Sequence, residues 1–396
     1  MKKMLTSLPA KLLLGIIIGV VLGLVVPESV MTVIVPIKNI LGQIINFVVP
    51  LIVIGFIAPS ITKLGSNASK MLGVALLIAY VSSLLAALFS LVSGMVIIPI
   101  LPTAAQAETL KELPPDVFSL AIPQIMSVMS ALAFSVLIGL SAVWTKSKTI
   151  IKILAEFQNM VLDIVTKVII PILPIFICFT FTCLSYDGTI TKQLPIFVSA
   201  VIIVIIGHFI WMTVLYLVAG AYSGKNPIEV VKYYGPAYIT AVGTMSSAAT
   251  LAIALRCAKK SSVLRDDMVD FGIPLFANIH LCGSVLTETF FVMIVSKVLY
   301  GKLPDVTTMI LFCALLAIFA IGAPGVPGGT VMASLGLITG VLGFDAAGTG
   351  LMLAIFALQD SFGTACNVTG DGALTLILTG YAQKHHIEKQ NISVDL

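Results

Sequence analysis

Leu358 to Ala373 reads LQDSFGTACNVTGDGA and sets two carboxylates and an asparagine in a stretch that is otherwise apolar or small. Taken as one α-helix turning about 100° per residue, Asp360, Thr364, Asn367 and Asp371 fall within an arc of about 60°. Ionisable groups inside an apolar segment are costly to keep and mark ion or substrate paths. A stripe with several oxygen acceptors suits a cation or an ammonium group. The ordinary alternative is a hydrogen-bonded set that only ties helices together.

Such a stripe needs a low-dielectric setting, and the composition supplies one. Of 396 residues, 59% are hydrophobic and 10% charged, against roughly 25% charged in a soluble domain. The chain is read as an all-α polytopic membrane protein, and its net charge of +4 carries no nucleic-acid reading. Runs of about 17 to 25 apolar residues suffice to cross a bilayer. They are marked at 10–27, 30–62, 71–101, 117–145, 150–185 and 193–222, with more after 230. The first lacks an A-x-A cleavage site followed by a soluble domain and is expected to be a retained helix.

Lys2, Lys3 and Lys11 flank the start of that first run, which places the N-terminus in the cytoplasm. Alternation then gathers Lys63, Lys70, Lys146, Lys148, Lys152, Lys225, Lys232, Arg256, Lys259, Lys260 and Arg265 on the inner side. The acidic loop with Glu108, Glu112 and Asp116 falls outside, and both termini are expected in the cytoplasm. Lys38 and Lys167 lie within helices and are expected to snorkel or line a helix contact. The six cysteines, Cys178, Cys183, Cys257, Cys282, Cys313 and Cys366, show no C-x-x-C spacing. They are read as small buried hydrophobes, with no disulfide framework and no zinc site.

Beyond residue 230 the pattern changes. Segment 231–258 has apolar flanks around GTMSSAAT, Gly243 to Thr250, and both flanks must lie on the cytoplasmic side. Segment 306–342 repeats the arrangement from the other side around IGAPGVPGGT, Ile321 to Thr330. Proline and glycine at that density cannot sustain a helix facing lipid, so the tip must lie against protein or a watery cavity. Two broken hairpins of opposite orientation, each followed by a long helix, are the pattern of an inverted-repeat transporter. A pair of ordinary kinked spans is the alternative, and charge counting does not separate the two.

The tip SSAAT, the helix with IPLFANIHLCGS, the tip GAPGVPGG and the final D-x-x-x-T-x-x-N-V-T-G-D resemble the dicarboxylate/amino acid:cation symporters, the glutamate transporter family, over about 230–383. That resemblance implies eight transmembrane helices and two re-entrant helical hairpins, assembled as a homotrimer in the plasma membrane and working as an elevator. Residues 1–225 would hold mainly scaffold and trimerisation helices, although in the family the third and sixth helices join the moving part. Residues 226–383 would form the transport core, and 384–396 a cytoplasmic tail. It implies further that Asp360 holds a substrate ammonium, with Thr364 beside it, and that Asn367, Ser246 and Ser247 hold the substrate carboxylate. Gly325 and Val326 belong to a gating tip that closes over the substrate. A sodium ion would sit at Asp371 with Asn367, and a second at carbonyls near Ala320, Ile321 and Ala323.

Departures from the family pattern are as informative. Members that take acidic substrates carry an arginine three residues after the substrate aspartate, where this chain has Gly363, or on the first hairpin tip, where it has Met245. Burying a second substrate carboxylate without a cation costs several kcal/mol, so a neutral amino acid such as serine, threonine or alanine is expected, an acidic amino acid or dicarboxylate being the alternative. The family's N-M-D-G-T is here His280, Leu281, Cys282, Gly283, Ser284. Thiol and imidazole are poor alkali-metal ligands, so fewer sodium sites are expected. Glu288 and His280 are candidate proton carriers, the plainer reading being that they satisfy each other or a neighbour. Ser82 and Ser83 match polar positions of the family's third helix.

Two other classes fit the residues less well. An intramembrane aspartyl protease needs two carboxyls sharing one proton, but Asp360 and Asp371 stand about 16 Å apart along a continuous helix. A channel would show symmetric pore rings with little substrate chemistry, which the amine-matched acid, asparagine and serine-lined tip do not resemble.

Overall fold

In the computed structural model, which describes residues 8–65, 70–101, 113–115, 117, 118, 120–123, 125–323, 325 and 327–387, every regular element is helical. The acidic loop residues Glu108, Glu112 and Asp116 lie outside the described residues, as do Lys2, Lys3 and Val326.

The first part of the chain forms α1 (Leu8–Val25), α2 (Glu28–Gly65), α3 (Lys70–Ile97), α4 (Val128–Trp144), α5 (Lys148–Ile164), α6 (Ile170–Tyr186) and α7 (Thr189–Ser223). Among the described residues of the apolar run 117–145, helix begins at Val128. Pro123 lacks an N–H to donate, and Ser127 then caps the helix by accepting from the Ser130 N–H. Run 150–185 is likewise not one straight span. A π-turn, Val165–Ile169, joins α5 to α6, and the two parts meet at 49°. Pro171 and Pro174 open α6, and a proline ring clashes with the carbonyl one turn earlier.

Lys167, in that π-turn, is exposed and pairs with Asp163 at 2.5 Å. Lys38 is buried. Gly15, Gly19 and Gly23 let α1 lie directly on α6. A Cβ there would come within 2.7, 2.3 and 2.4 Å of the carbonyl oxygens of Pro174, Cys178 and Thr182.

The second part is built of broken elements. After a short turn of helix, α8 (Ile228–Val231), come α9 (Gly235–Thr244) and α10 (Ser247–Ala258). Next are α11 (Asp266–Ile279) and α12 (Cys282–Tyr300), then α13 (Val306–Gly322) and α14 (Gly329–Gly340), and last α15 (Ala346–Lys384). At the first tip the chain turns through Met245, held left-handed at φ 52°, before Ser246 caps α10. At the second it turns through Gly328 at φ 72°. Helices of 10 and 12 residues, as in α9, α10 and α14, rise only about 15 to 18 Å, short of the roughly 30 Å apolar thickness of a bilayer.

Five helices among the described residues are long and apolar enough to cross a membrane, or six if α5 and α6 form one bent span. The helices that carry the ionisable groups are the sheltered ones. The most apolar window of α11–α12 is 100% buried and that of α15 is 78% buried, against 33% for α7. Burial against protein rather than lipid lets those acids find partners.

α12 and α15 touch closely where Gly283 meets Gly363 and Cys366, and a Cβ on Gly283 would lie 2.5 Å from the Gly363 carbonyl oxygen and from the Cys366 Cβ. G283A is expected to destabilise the protein by about 1–3 kcal/mol through overpacking and to lower the melting temperature in detergent. G73A, where a Cβ meets nothing within 4 Å, is the control and should melt like the parent.

Candidate functional site

The stripe predicted on Leu358–Ala373 lies on one continuous helix, α15, and Asp360, Thr364, Asn367 and Asp371 are all buried. Each of its three strongest polar groups meets a place where another helix is interrupted. The Gly328 N–H, at the second tip, donates to Asp360 Oδ2 at 2.7 Å. The N–H groups of Gly283 and Ser284 donate to Asn367 Oδ1 at 2.7 and 3.2 Å, and Asn367 Nδ2 donates to Ser284 Oγ at 2.9 Å. Asp371 Oδ1 lies 3.0 Å from His280 Nδ1.

Those interruptions follow from local geometry. His280 is extended, at φ −117° and ψ 99°, and Leu281, at φ −119° and ψ 42°, is neither extended nor helical. The break strips the first N–H groups of α12 of intrahelical partners, and the Asn367 carbonyl oxygen replaces them from across the helix interface. At the first tip, Ser246 Oγ accepts from the Ala249 N–H at 3.2 Å and donates to the Gly325 carbonyl at 2.7 Å. The Ala248 N–H also approaches that carbonyl, at 3.4 Å. The two tips therefore touch, with Ser246 and Ser247 against Gly325, while Asp360 holds Gly328 three residues further along the second tip.

Gly363 lies one turn along, and a Cβ built on it would stand 3.5 Å from Ser284 Oγ. Among the described residues, the arginines are remote from this site. Arg265 is clasped by Asp267 at 2.5 Å and donates to the Ile387 carbonyl at 3.0 Å, at the end of the chain that carries the tail. Ala320, Ile321 and Ala323 are buried where α13 ends, and Gln158 Nε2 donates to the neighbouring Gly322 carbonyl at 3.2 Å. Such a helix end exposes carbonyl oxygens, the ligand type that hard cations take.

Glu288 and His280 do not satisfy each other; each finds other neighbours. Glu288 Oε1 accepts from the Ser334 hydroxyl of α14, while its Oε2 is buried without a partner. His280 Nε2 lies 2.9 Å from Ser82 Oγ of α3, so both its ring nitrogens are engaged.

One cluster was not anticipated from sequence. His208, buried on α7, places Nε2 3.0 Å from both the Gly283 carbonyl and Thr287 Oγ1, and Nδ1 3.2 Å from Gln359 Nε2. Thr287 Oγ1 donates to Gln359 Oε1 at 2.7 Å. Because the Gly283 carbonyl only accepts, Nε2 carries the proton and Nδ1 accepts from Gln359. A histidine inside the run IIGHFIW was the signal.

The description "Sodium:dicarboxylate symporter family" matches residues 8–381. The chain belongs to that family. Mouse excitatory amino acid transporter 2 is 27% identical over 254 residues, covering 62% of this chain and 43% of its own length. The serine/threonine transporter SstT of Acinetobacter baylyi is 26% identical over 407 residues, covering 96% of this chain and 98% of its own. That of Streptococcus agalactiae serotype III is 26% identical over 403 residues, covering 94% and 95%. The chain thus spans less than half of the mouse relative's length and nearly all of the bacterial ones. The family and these relatives are transporters, so the hydrolase alternative falls, and a multi-pass membrane protein stands.

The Asn367 cap makes a stability prediction. N367A leaves the Gly283 and Ser284 N–H groups without their acceptor, at about 1–3 kcal/mol for each unsatisfied group. S83A removes a buried hydroxyl that has no partner and should be neutral or stabilising. Equal melting temperatures for the two variants would show that the cap does not hold the break.

Proposed function

We propose that this chain is a secondary active transporter that carries a neutral amino acid such as serine, threonine or alanine across the plasma membrane, driven by sodium. The family match supports sodium-coupled transport, and the names of the bacterial relatives that it matches end to end support the substrate class. The observation that carries the neutral reading is Gly363. Among the described residues it faces Ser284, not a cation, and Arg265 is occupied elsewhere. A second substrate carboxylate buried there would stay uncompensated. An acidic amino acid or dicarboxylate is the alternative, favoured by the family's description and by the excitatory transporters among the relatives.

In this reading Asp360 holds the substrate amine, exchanging the Gly328 N–H for a charged donor. Thr364, the Ser246–Ser247 tip and the free N–H of Asn367 Nδ2 surround the rest, and the tip at Gly325 and Val326 closes over it. The N-terminus of α10 adds a partial positive charge for the substrate carboxylate. Carbonyls of Ala320, Ile321 and Ala323 take sodium. Glu288, with one oxygen unpartnered, is the better of the two proton-carrier candidates. The arrangement as eight spans and two hairpins, the homotrimer, the cytoplasmic termini and the elevator motion of 226–383 against 1–225 belong to the same proposal. Ser90 Oγ donating to the Leu286 carbonyl at 2.7 Å, and the His208 cluster, support α3 and α7 travelling with the core.

The test is uptake into proteoliposomes over an amino-acid panel, with sodium and proton gradients imposed separately. Serine, threonine or alanine should accumulate with inward sodium, and D360N should lower uptake by about 100-fold, a loss of about 3 kcal/mol. G363R should shift preference towards aspartate or glutamate. Strong wild-type glutamate uptake would overturn the neutral reading. E288Q should abolish any response to a proton gradient, and an unaltered response would retire Glu288 as carrier.

A further inference from the structure

His280 is the side chain the transport reading uses least and the one the geometry constrains most. It sits in the break between α11 and α12, wholly buried, with Ser82 of α3 on one ring nitrogen at 2.9 Å and Asp371 of α15 on the other at 3.0 Å. Resting on the sodium-coupled reading above, we propose that this imidazole is the built-in replacement for a cation at Asp371. The carboxylate is held by His280, braced by Ser82, and takes no sodium ion in the transport cycle.

The donor set around Asp371 supports this. A hard cation asks for several oxygens at once, mostly carboxylate, carbonyl or water. Asp371 Oδ1 is engaged by the ring. The Thr369 carbonyl nearby is taken by the Tyr216 hydroxyl at 2.8 Å. Asn367 Oδ1, one turn earlier, is taken by two backbone N–H groups.

The side of α15 at Gly370 faces the His280 ring and the Cys282 sulfur, with a Cβ there 3.0 Å from His280 Cε1 and 3.4 Å from Cys282 Sγ. Among the described residues, Asp371 Oδ2, Thr369 Oγ1 two residues earlier, and the hydroxyl of Tyr234, whose ring packs against Gly372, are buried and unpartnered. One carboxylate oxygen, one hydroxyl and one phenol fall short of a sodium shell. They leave the carboxylate satisfied on one oxygen by a donor that is part of the chain. The carbonyl end of α13, by contrast, keeps the chemistry of a cation site, so the ions that drive transport bind there.

The deciding experiment is equilibrium binding of radioactive sodium to the purified full chain in lipid nanodiscs, for wild type and D371N. D371N is expected to bind as many ions per protomer as wild type, with an affinity within about twofold. Loss of an ion per protomer, or weakening by more than about tenfold, overturns the proposal. Wild type that binds no sodium leaves the Asp371 assignment standing and removes sodium from the transport reading, so the two failures are distinguishable. Should D371N not fold, nitrogen-15 histidine spectra of wild type decide. The buried-histidine resonances should be the same in sodium chloride and choline chloride, and a sodium-dependent shift would place the ion at the pair and sink the proposal.

Discussion

A carboxylate or amide buried in an apolar bundle has to be met by a polar group, and in this protein the groups that meet the α15 stripe come from interrupted helices. Asp360 takes a backbone N–H from the second hairpin tip, and Asn367 takes two from the start of α12. Asp371 takes a ring nitrogen from the residue that breaks α11 from α12. Neither side of each contact is satisfied alone. A broken helix in a membrane exposes N–H groups that lipid cannot pair, and an acid in a membrane exposes oxygens that lipid cannot solvate. Mutual satisfaction couples the continuous helix to both the hairpin and the break, so a ligand that competes for one acid also loosens a helix end.

How much of this is readable in the residues depends on the length scale of the signal. The hairpin tips were legible because Met245–Ser246 and the Pro–Gly run near Gly328 are local, and only a few backbone conformations satisfy such chemistry. The one-faced stripe was legible because helical spacing fixes the angle between Asp360 and Asp371 regardless of neighbours. The apolar run 117–145 holds a shorter helix than its hydropathy marks. Hydropathy does not register that Pro123 and Ser127 delay the helix to Val128, and in run 150–185 it does not register the bend at Pro171. Long-range pairings were the least legible. Nothing local ties Ser334 to Glu288 across 46 positions, or His208 to Gln359 across 151.

The acids differ in what surrounds them, and that difference orders their roles. Asp360 is held by one backbone N–H at a tip whose own closure depends on a serine hydroxyl and a carbonyl. A single backbone N–H is a partner that can be exchanged, as the proposed amine-binding role requires. Asp371 is held from two helices at once, through a ring whose far nitrogen is itself engaged by α3. Withdrawing that partner means separating α3, the helix break and α15 together. Glu288 is intermediate, with one oxygen on the hairpin arm α14 and the other free.

Along one buried layer, exchangeability thus falls from the hairpin side to the α3 side. In the proposed transport cycle, substrate and coupling ions are handled at the tips. The far end of the stripe is pinned by side chains, and that rigidity gives the moving tip a fixed surface to close against. A transporter needs both, because a gate that closes on a yielding floor would hold its substrate no better than an open one. The replacement of hard oxygen ligands by His280 and Cys282 therefore need not weaken the cycle. On the proposed assignment, it shifts one end of the site from binding an ion to holding the frame.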